Sequence, residues 1–284
     1  MPVDVHDLQV ALTEIAGRLE NLYPGRLGPK ALMGYSMGGF QSLFAAATES
    51  TNEPSLLKFD RYVAINSPVR LLYGISKLDE YYQAPLAWPA AERTNNIENT
   101  FLKVAALSGN SLTPQTSLPF SGIESKFLIG LSFRLILRDA IFSSQQRSNR
   151  GLLTHPIRKL RRAPVYQEIL QYSYHDYLQR FLIPCYSSRG IELSAPDSLE
   201  KAGDLRTYEG GLRANPNIRL ITNRDDFLLS SEDLAWLEST FAKDNLTVFE
   251  QGGHLGNLSH PAVQKAILAA LDGLRTVPDS LQKR

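Results

Sequence analysis

Cysteine is almost absent from this sequence: there is one, Cys185. That excludes an intramolecular disulfide framework and a cysteine-rich zinc module. Cys185 itself is expected as a small, buried, apolar residue. An excess of either charge is also missing, since 30 Lys+Arg stand against 29 Asp+Glu. No nucleic-acid-binding module and no aromatic–basic pattern appears, so nucleic acid is not an expected partner. Long apolar runs are lacking as well. A bilayer span takes roughly 20 residues, and the best stretch, Phe127 to Phe142, carries Arg134, Arg138 and Asp139. The N-terminal MPVDVHDLQVAL has no basic region leading into an apolar one, so it does not read as a signal peptide, and the default compartment is cytoplasmic. There is no internal repeat, no low-complexity segment and no clustering of metal-ligand residue types.

What is present is 284 residues with 43% hydrophobic content, enough for one large domain or a core with an insertion. From Val5 to Leu22 apolar residues recur at helical spacing, with Asp4 as N-cap and Tyr23-Pro24-Gly25 as the stop. Lys30–Met33 is a short strand running into a glycine-rich turn, and Phe40–Thr48 is an Ala-rich helix. Further buried strands are expected at Arg61–Asn66, Ile218–Thr222 and Asn245–Glu250, with helices at Glu232–Ala242 and Ala262–Leu274. Strands alternating with helices imply an α/β fold with a parallel sheet.

Between the second and third strands, Pro68 to Pro216 has helical patterns and no convincing strand. It holds 18 Lys+Arg against 13 Asp+Glu, while the rest of the chain holds 12 against 16. It reads as a helical insertion on an α/β core. Within it, Lys126 to Gln167 has nine Lys+Arg and one acid, Asp139. This is chiefly a solvated face with an apolar underside; otherwise it would suit weak contact with an anionic membrane surface or with an acidic substrate. Tyr166, Tyr172, Tyr174, Tyr177, Phe181 and Tyr186 form an aromatic cluster, expected to pack helices against the core, with a substrate-facing wall as the alternative.

Three places carry chemistry. Gly34-Tyr35-Ser36-Met37-Gly38-Gly39 fits G-x-S-x-G between a strand and a helix. So tight a turn strains the serine backbone, and larger residues at Gly34 and Gly38 are expected to clash with their neighbours. It lifts Ser36 to the helix N-terminus, where the Met37 N–H and the helix dipole favour an oxyanion. Asn223-Arg224-Asp225-Asp226-Phe227-Leu228-Leu229 follows the third strand and offers Asp225 or Asp226 as the acid that orients a base. Gly252-Gly253-His254 follows the fourth strand. His254 alone among five histidines lies in a glycine-flanked loop after a strand. His6 falls in the first helix, His155 and His175 in the insertion, and His260 at a helix start.

The order serine, acid, histidine, each after a strand, resembles the α/β-hydrolase superfamily over Lys30–Asn66 and from Ile218 onward. The GYSMGG elbow and the final GGHLGNL carry the resemblance. The family's acid often appears as G-x-x-D before apolar residues, and that pattern selects Asp226. The resemblance implies an α/β-hydrolase-type sheet flanked by helices, with residues 1–67 and 217–284 as core and 68–216 as a helical lid. In the family, four strands and a helix precede the nucleophile strand, and a loop there supplies a second oxyanion donor. Here only about 29 residues precede it. Either the N-terminal strands are missing from this chain or the first half of the sheet does not exist; the former is the expectation. The strand before Ser36 would then lie exposed at a sheet edge.

The function implied is a serine hydrolase, esterase- or lipase-like, cleaving a carboxylic ester, thioester or amide. Ser36 is the nucleophile, His254 the base, Asp226 the orienting acid and Met37 the oxyanion-hole residue. No cofactor is needed, and the partner is a small acyl substrate. An acyltransferase would use the same residues, and a non-catalytic remnant of the fold would keep them idle.

Overall fold

A computed structural model describes residues 2–49, 55–107, 118–158, 160–193 and 196–274. The chain divides into two compact units, Met1–Gly74 with Leu199–Arg284, and Ile75–Ser198. In chain order the elements are α1 (Pro2–Leu22), β1 (Ala31–Tyr35), α2 (Met37–Thr48), β2 (Arg61–Ile65), α3 (Leu71–Tyr82), α4 (Ala90–Leu107), α5 (Gly122–Arg147), α6 (Ala163–Ile169), α7 (Tyr174–Tyr177), α8 (Ile183–Ser187), α9 (Pro196–Ala202), α10 (Glu209–Ala214), β3 (Ile218–Asn223), α11 (Ser231–Thr240), β4 (Leu246–Phe249) and α12 (Pro261–Ala270). A π-type turn at Leu178–Leu182 joins α7 to α8.

The first unit is α/β. Its four strands are parallel, in the order β1-β2-β3-β4. All four carboxyl ends therefore emerge at one edge, where loops can converge. The inner strand β2 is buried from Tyr62 to Ile65, as a strand covered on both faces must be. On one face Phe40, Leu43 and Phe44 of α2 pack against Tyr62, Ala64 and Leu220. On the other, Ala266, Ile267 and Ala270 of α12 pack against Val63, Ile65 and Ile221. Helix starts carry their own signals. A capping box between Ser230 and Asp233 opens α11, and Pro261 sits in the first turn of α12 while the His260 ring accepts from the Ala262 N–H at 3.3 Å.

Among the described residues β1 has a sheet neighbour only in β2. Its side chains alternate, and Met33 and Tyr35 are 51% and 63% exposed. The apolar stripe of α1 is only half used. Val5 is 1% exposed, whereas Ile15 and Leu22 are 52% and 69% exposed. Helix α1 begins at Pro2, so Asp4 lies in its first turn rather than at its N-cap.

After β2 the chain leaves the sheet, and it returns beside its point of departure. The Leu71 N–H donates to the Gly203 carbonyl at 2.8 Å and the Leu205 N–H to the Val69 carbonyl at 3.0 Å, around an antiparallel bridge between Arg70 and Asp204. The Arg70 guanidinium forks onto both Asp233 oxygens, at 2.7 and 3.0 Å. This ties the root of the excursion to α11.

The second unit is helical, with no strand among its described residues. The core gathers Leu137, Ile141 and Phe142 of α5 with Val165 and Ile169 of α6 and Phe181. Tyr166, Tyr172, Tyr174 and Tyr177 pack around it, so these members of the aromatic cluster join helices. Asp79 of α3 pairs with Arg134 at 2.8 Å and accepts the N–H groups of Tyr174 and His175. Arg134 also donates to the Tyr172 carbonyl and lies over the Tyr82 ring. Ser121 and Glu124 form the capping box of α5, and Lys103 of α4 reaches the same carboxylate at 2.8 Å. Burial would raise the Glu124 carboxyl, but donors from Lys103 and Ser121 outweigh it and hold it at about 2. Cys185 is half-buried rather than buried, because it lies on α8 where the Arg150 guanidinium reaches its sulfur at 3.5 Å. No helix among the described residues is long and apolar enough to cross a membrane.

Candidate active site

The turn at Ser36 is built from two close approaches. β1 runs through Tyr35, and α2 starts at Met37, leaving Ser36 alone to turn the chain. Ser36 sits at φ 53 and ψ −122, a conformation that L-residues adopt only under constraint. Its N–H donates to the Ile65 carbonyl at the end of β2, at 2.9 Å, which fixes the turn to the sheet. A Cβ on Gly34 would come within 2.2 Å of the Gly38 backbone. A Cβ on Gly39 would meet the Ser67 side chain at 3.1 Å and the Gly34 and Ile65 carbonyls at 3.3 Å. At Gly38 it would meet nothing within 4 Å. The steric demand expected at Gly38 therefore falls on Gly39, because residue 39 is the one whose face turns toward β1 and β2. Met37 is the first helical residue, so its N–H has no acceptor within the helix.

At the same sheet edge the structure brings Ser36, Asp226 and His254 together. His254 Nε2 lies 2.9 Å from Ser36 Oγ, and His254 Nδ1 lies 2.9 Å and 3.1 Å from the two Asp226 oxygens. An ionised carboxylate can only accept. Nδ1 therefore carries the ring proton, and Nε2 is left to accept from the serine hydroxyl. The Asp226 residue is 2% exposed and the His254 side chain 5%. The Phe227 ring packs edge-on against the imidazole, with centroids 5.6 Å apart. Asp226 also accepts from the Leu228 N–H at 3.0 Å and from the Asn66 amide at 2.9 Å.

Asp225 does something else. Its carboxylate accepts the N–H groups of Gly252 and Gly253, at 3.2 and 2.7 Å, and so grips the loop that carries His254. Asn223 donates to the Gly253 carbonyl at 2.7 Å and exchanges amide hydrogen bonds with Asn257. Gly253 and Leu255, on either side of His254, have φ of 54 and 67. A Cβ on Gly252 would run into the Asn257 and Asn223 amides at 2.2 and 2.6 Å. The loop is thus bent around the histidine and held by side chains from the end of β3.

Sequence reasoning did not find Asn66, Asn223 or Asn257. Asn66 had one available signal, a polar residue directly after a buried strand. Its φ of 46 lies in the left-handed region that asparagine tolerates better than most residues. The remaining histidines stay away from this chemistry: His6 lies in α1, His155 faces Glu168 at 2.8 Å, His175 belongs to α7 and His260 caps α12. Among the described residues no group of three or more His, Cys, Asp or Glu side chains is placed to hold a metal ion.

The sequence matches no model of a known protein family and no curated protein.

Proposed function

We propose that this protein is a serine hydrolase that cleaves a carboxylic ester, or the related thioester or amide, through an acyl-enzyme. The observation that carries this reading is the unbroken relay of 2.9 Å contacts from Ser36 Oγ through the His254 ring to Asp226. As Ser36 Oγ attacks the acyl carbon, Nε2 takes its proton, and Asp226 stabilises the imidazolium that forms. The Met37 N–H is aimed by the helix start at the developing oxyanion. The tetrahedral adduct collapses as Nε2 returns the proton to the leaving group. Water then repeats the sequence, giving up a proton to Nε2, and frees the acid and Ser36. An α/β-hydrolase-type sheet, with the helical unit acting as a lid, is the fold reading that accompanies this chemistry.

The test is labelling with a fluorophosphonate probe, followed by mapping of the modified residue. Modification of Ser36 that disappears in Ser36→Ala is the expected result. An unlabelled protein, or equal labelling of the variant, would overturn the reading.

A further inference from the structure

We propose that the loop between α5 and α6, through its described residues 151–158 and 160–162, docks the helical unit onto an anionic lipid bilayer. Its root is firmly built. Leu152, Leu153 and Ile157 pack against the helical core. Glu168 of α6 accepts the N–H groups of Thr154 and His155, at 2.7 and 2.9 Å, and faces His155 Nδ1 at 2.8 Å. Burial would raise this carboxyl, but the donors from Thr154 and His155 prevail and hold it at about 2. It stays ionised, and its charge is spent on the root of the loop.

The tip is built differently. Arg158, Leu160, Arg161 and Arg162 are all exposed, and Leu160 is 98% exposed. From residue 140 to 167 the sequence has six Lys+Arg and no Asp or Glu. Arg162 leans back over the Phe142 ring, 5.2 Å from its centroid. Arg158 and Arg161 bracket the bare leucine.

A single exposed leucine is ordinary on a protein surface. A leucine at an anchored tip, between arginines and with no acid in the segment, suits a surface that is negative outside and apolar just beneath. An anionic bilayer offers both: each basic residue near it strengthens attachment about fivefold, and the leucine can enter the acyl boundary. A nucleic acid would reward the arginines and leave Leu160 in water. The proposal stands independently of the hydrolase reading, and the Ser36→Ala protein serves equally well to test it.

The experiment is flotation of the full chain with vesicles of phosphatidylcholine containing about one-third phosphatidylserine, against pure phosphatidylcholine, at low and raised salt. Partition onto the anionic vesicles that falls with salt is expected. Arg158→Gln combined with Arg161→Gln lowers it about thirtyfold, and Leu160→Gln about tenfold, with thermal unfolding unchanged in both. Absence of wild-type partition, equal partition onto neutral vesicles, or an unaffected double variant would each overturn the proposal. So would a Leu160→Gln variant that binds as wild type, since the loop would then be a general polyanion surface; retention of a duplex RNA oligonucleotide by that variant identifies the alternative.

Discussion

Asp226 and the His254 side chain are 2% and 5% exposed, whereas Ser36 sits between Tyr35 at 63% and Met37 at 44%. The two halves of one relay thus lie in different surroundings. The Asp226–His254 half is enclosed and gripped from several directions: Asn66 and the Leu228 N–H on Asp226, Asp225 and Asn223 on the glycines before the histidine. The Ser36 half follows β1 and is fixed chiefly by backbone, through the Ser36 N–H to Ile65 and the close approach of Gly34 to Gly38, with the Ser42 hydroxyl of α2 donating to the Leu32 carbonyl of β1 at 3.0 Å. The difference suits the roles proposed for the two halves. A base needs a fixed tautomer and a shielded counter-charge, while a nucleophile needs a fixed direction and open access.

The contrast can be broken most severely at the acid. Asp226→Asn should lower turnover of a small nitrophenyl ester on the order of 10⁴-fold, because an amide cannot hold the imidazole in the required tautomer. Asp225→Asn leaves the relay itself intact and should cost far less; steady-state kinetics of the two variants gives the ranking, and a reversed order would sink the assignment. Next comes the elbow. Gly34→Ala should destabilise the fold by about 3 kcal/mol or more, since its methyl group meets rigid backbone rather than a side chain that can swing away. Gly38→Ala should stay within about 1 kcal/mol, and chemical unfolding of the pair compares them.

A subtler disturbance is Asn66→Gly, which keeps a residue suited to φ 46 and removes the amide that donates to Asp226 at 2.9 Å and, more weakly, to the Gly253 carbonyl at 3.4 Å. The loss of one hydrogen bond to a buried carboxylate should cost about 1.5–3 kcal/mol in stability and lower turnover roughly tenfold. Unchanged turnover would mean that the Leu228 N–H suffices to set Asp226. The smallest effect is expected on the exposed strand: Tyr35→Lys should change thermal stability by no more than about 0.5 kcal/mol. A large loss there would show that this face is covered in the working protein.

Periodicity and turn residues made the four strands and their flanking helices legible, with ends displaced by a few residues. β1 continues to Tyr35 where Lys30–Met33 was expected, because the register with β2 holds until Tyr35 meets Ile65. Ser36 and His254 could be read because glycines surround them after apolar runs, and glycine spacing is a local signature. The choice between Asp225 and Asp226 could not be read from the residues, because adjacent carboxylates differ only in direction. One points at the imidazole and the other at two backbone N–H groups. Asn66, Asn223 and Asn257 were hidden for a related reason: an asparagine's role depends on partners far along the chain, 160 positions away between Asn66 and Asp226 and 187 between Asn66 and Gly253. In α1 the apolar stripe from Val5 to Leu22 predicts the helix and its apolar face, and of that stripe Val5 is buried while Ile15, Leu19 and Leu22 are exposed. Periodicity reports which face is apolar, not how much of it finds a neighbour.

The paired backbone at Val69–Leu71 and Gly203–Leu205 has a consequence for the chain as a polymer. Everything from Leu72 to Ala202 departs from and returns to one clamp. The sheet experiences that whole segment as a closed loop whose ends are already joined. The entropy of closing such a loop grows only with the logarithm of its length, so halving or doubling it changes the cost by about 0.6 kcal/mol. The sheet and the Ser36 relay could therefore keep their form while the excursion lengthened, shortened or was exchanged for another, provided that the six residues of the clamp stayed in place.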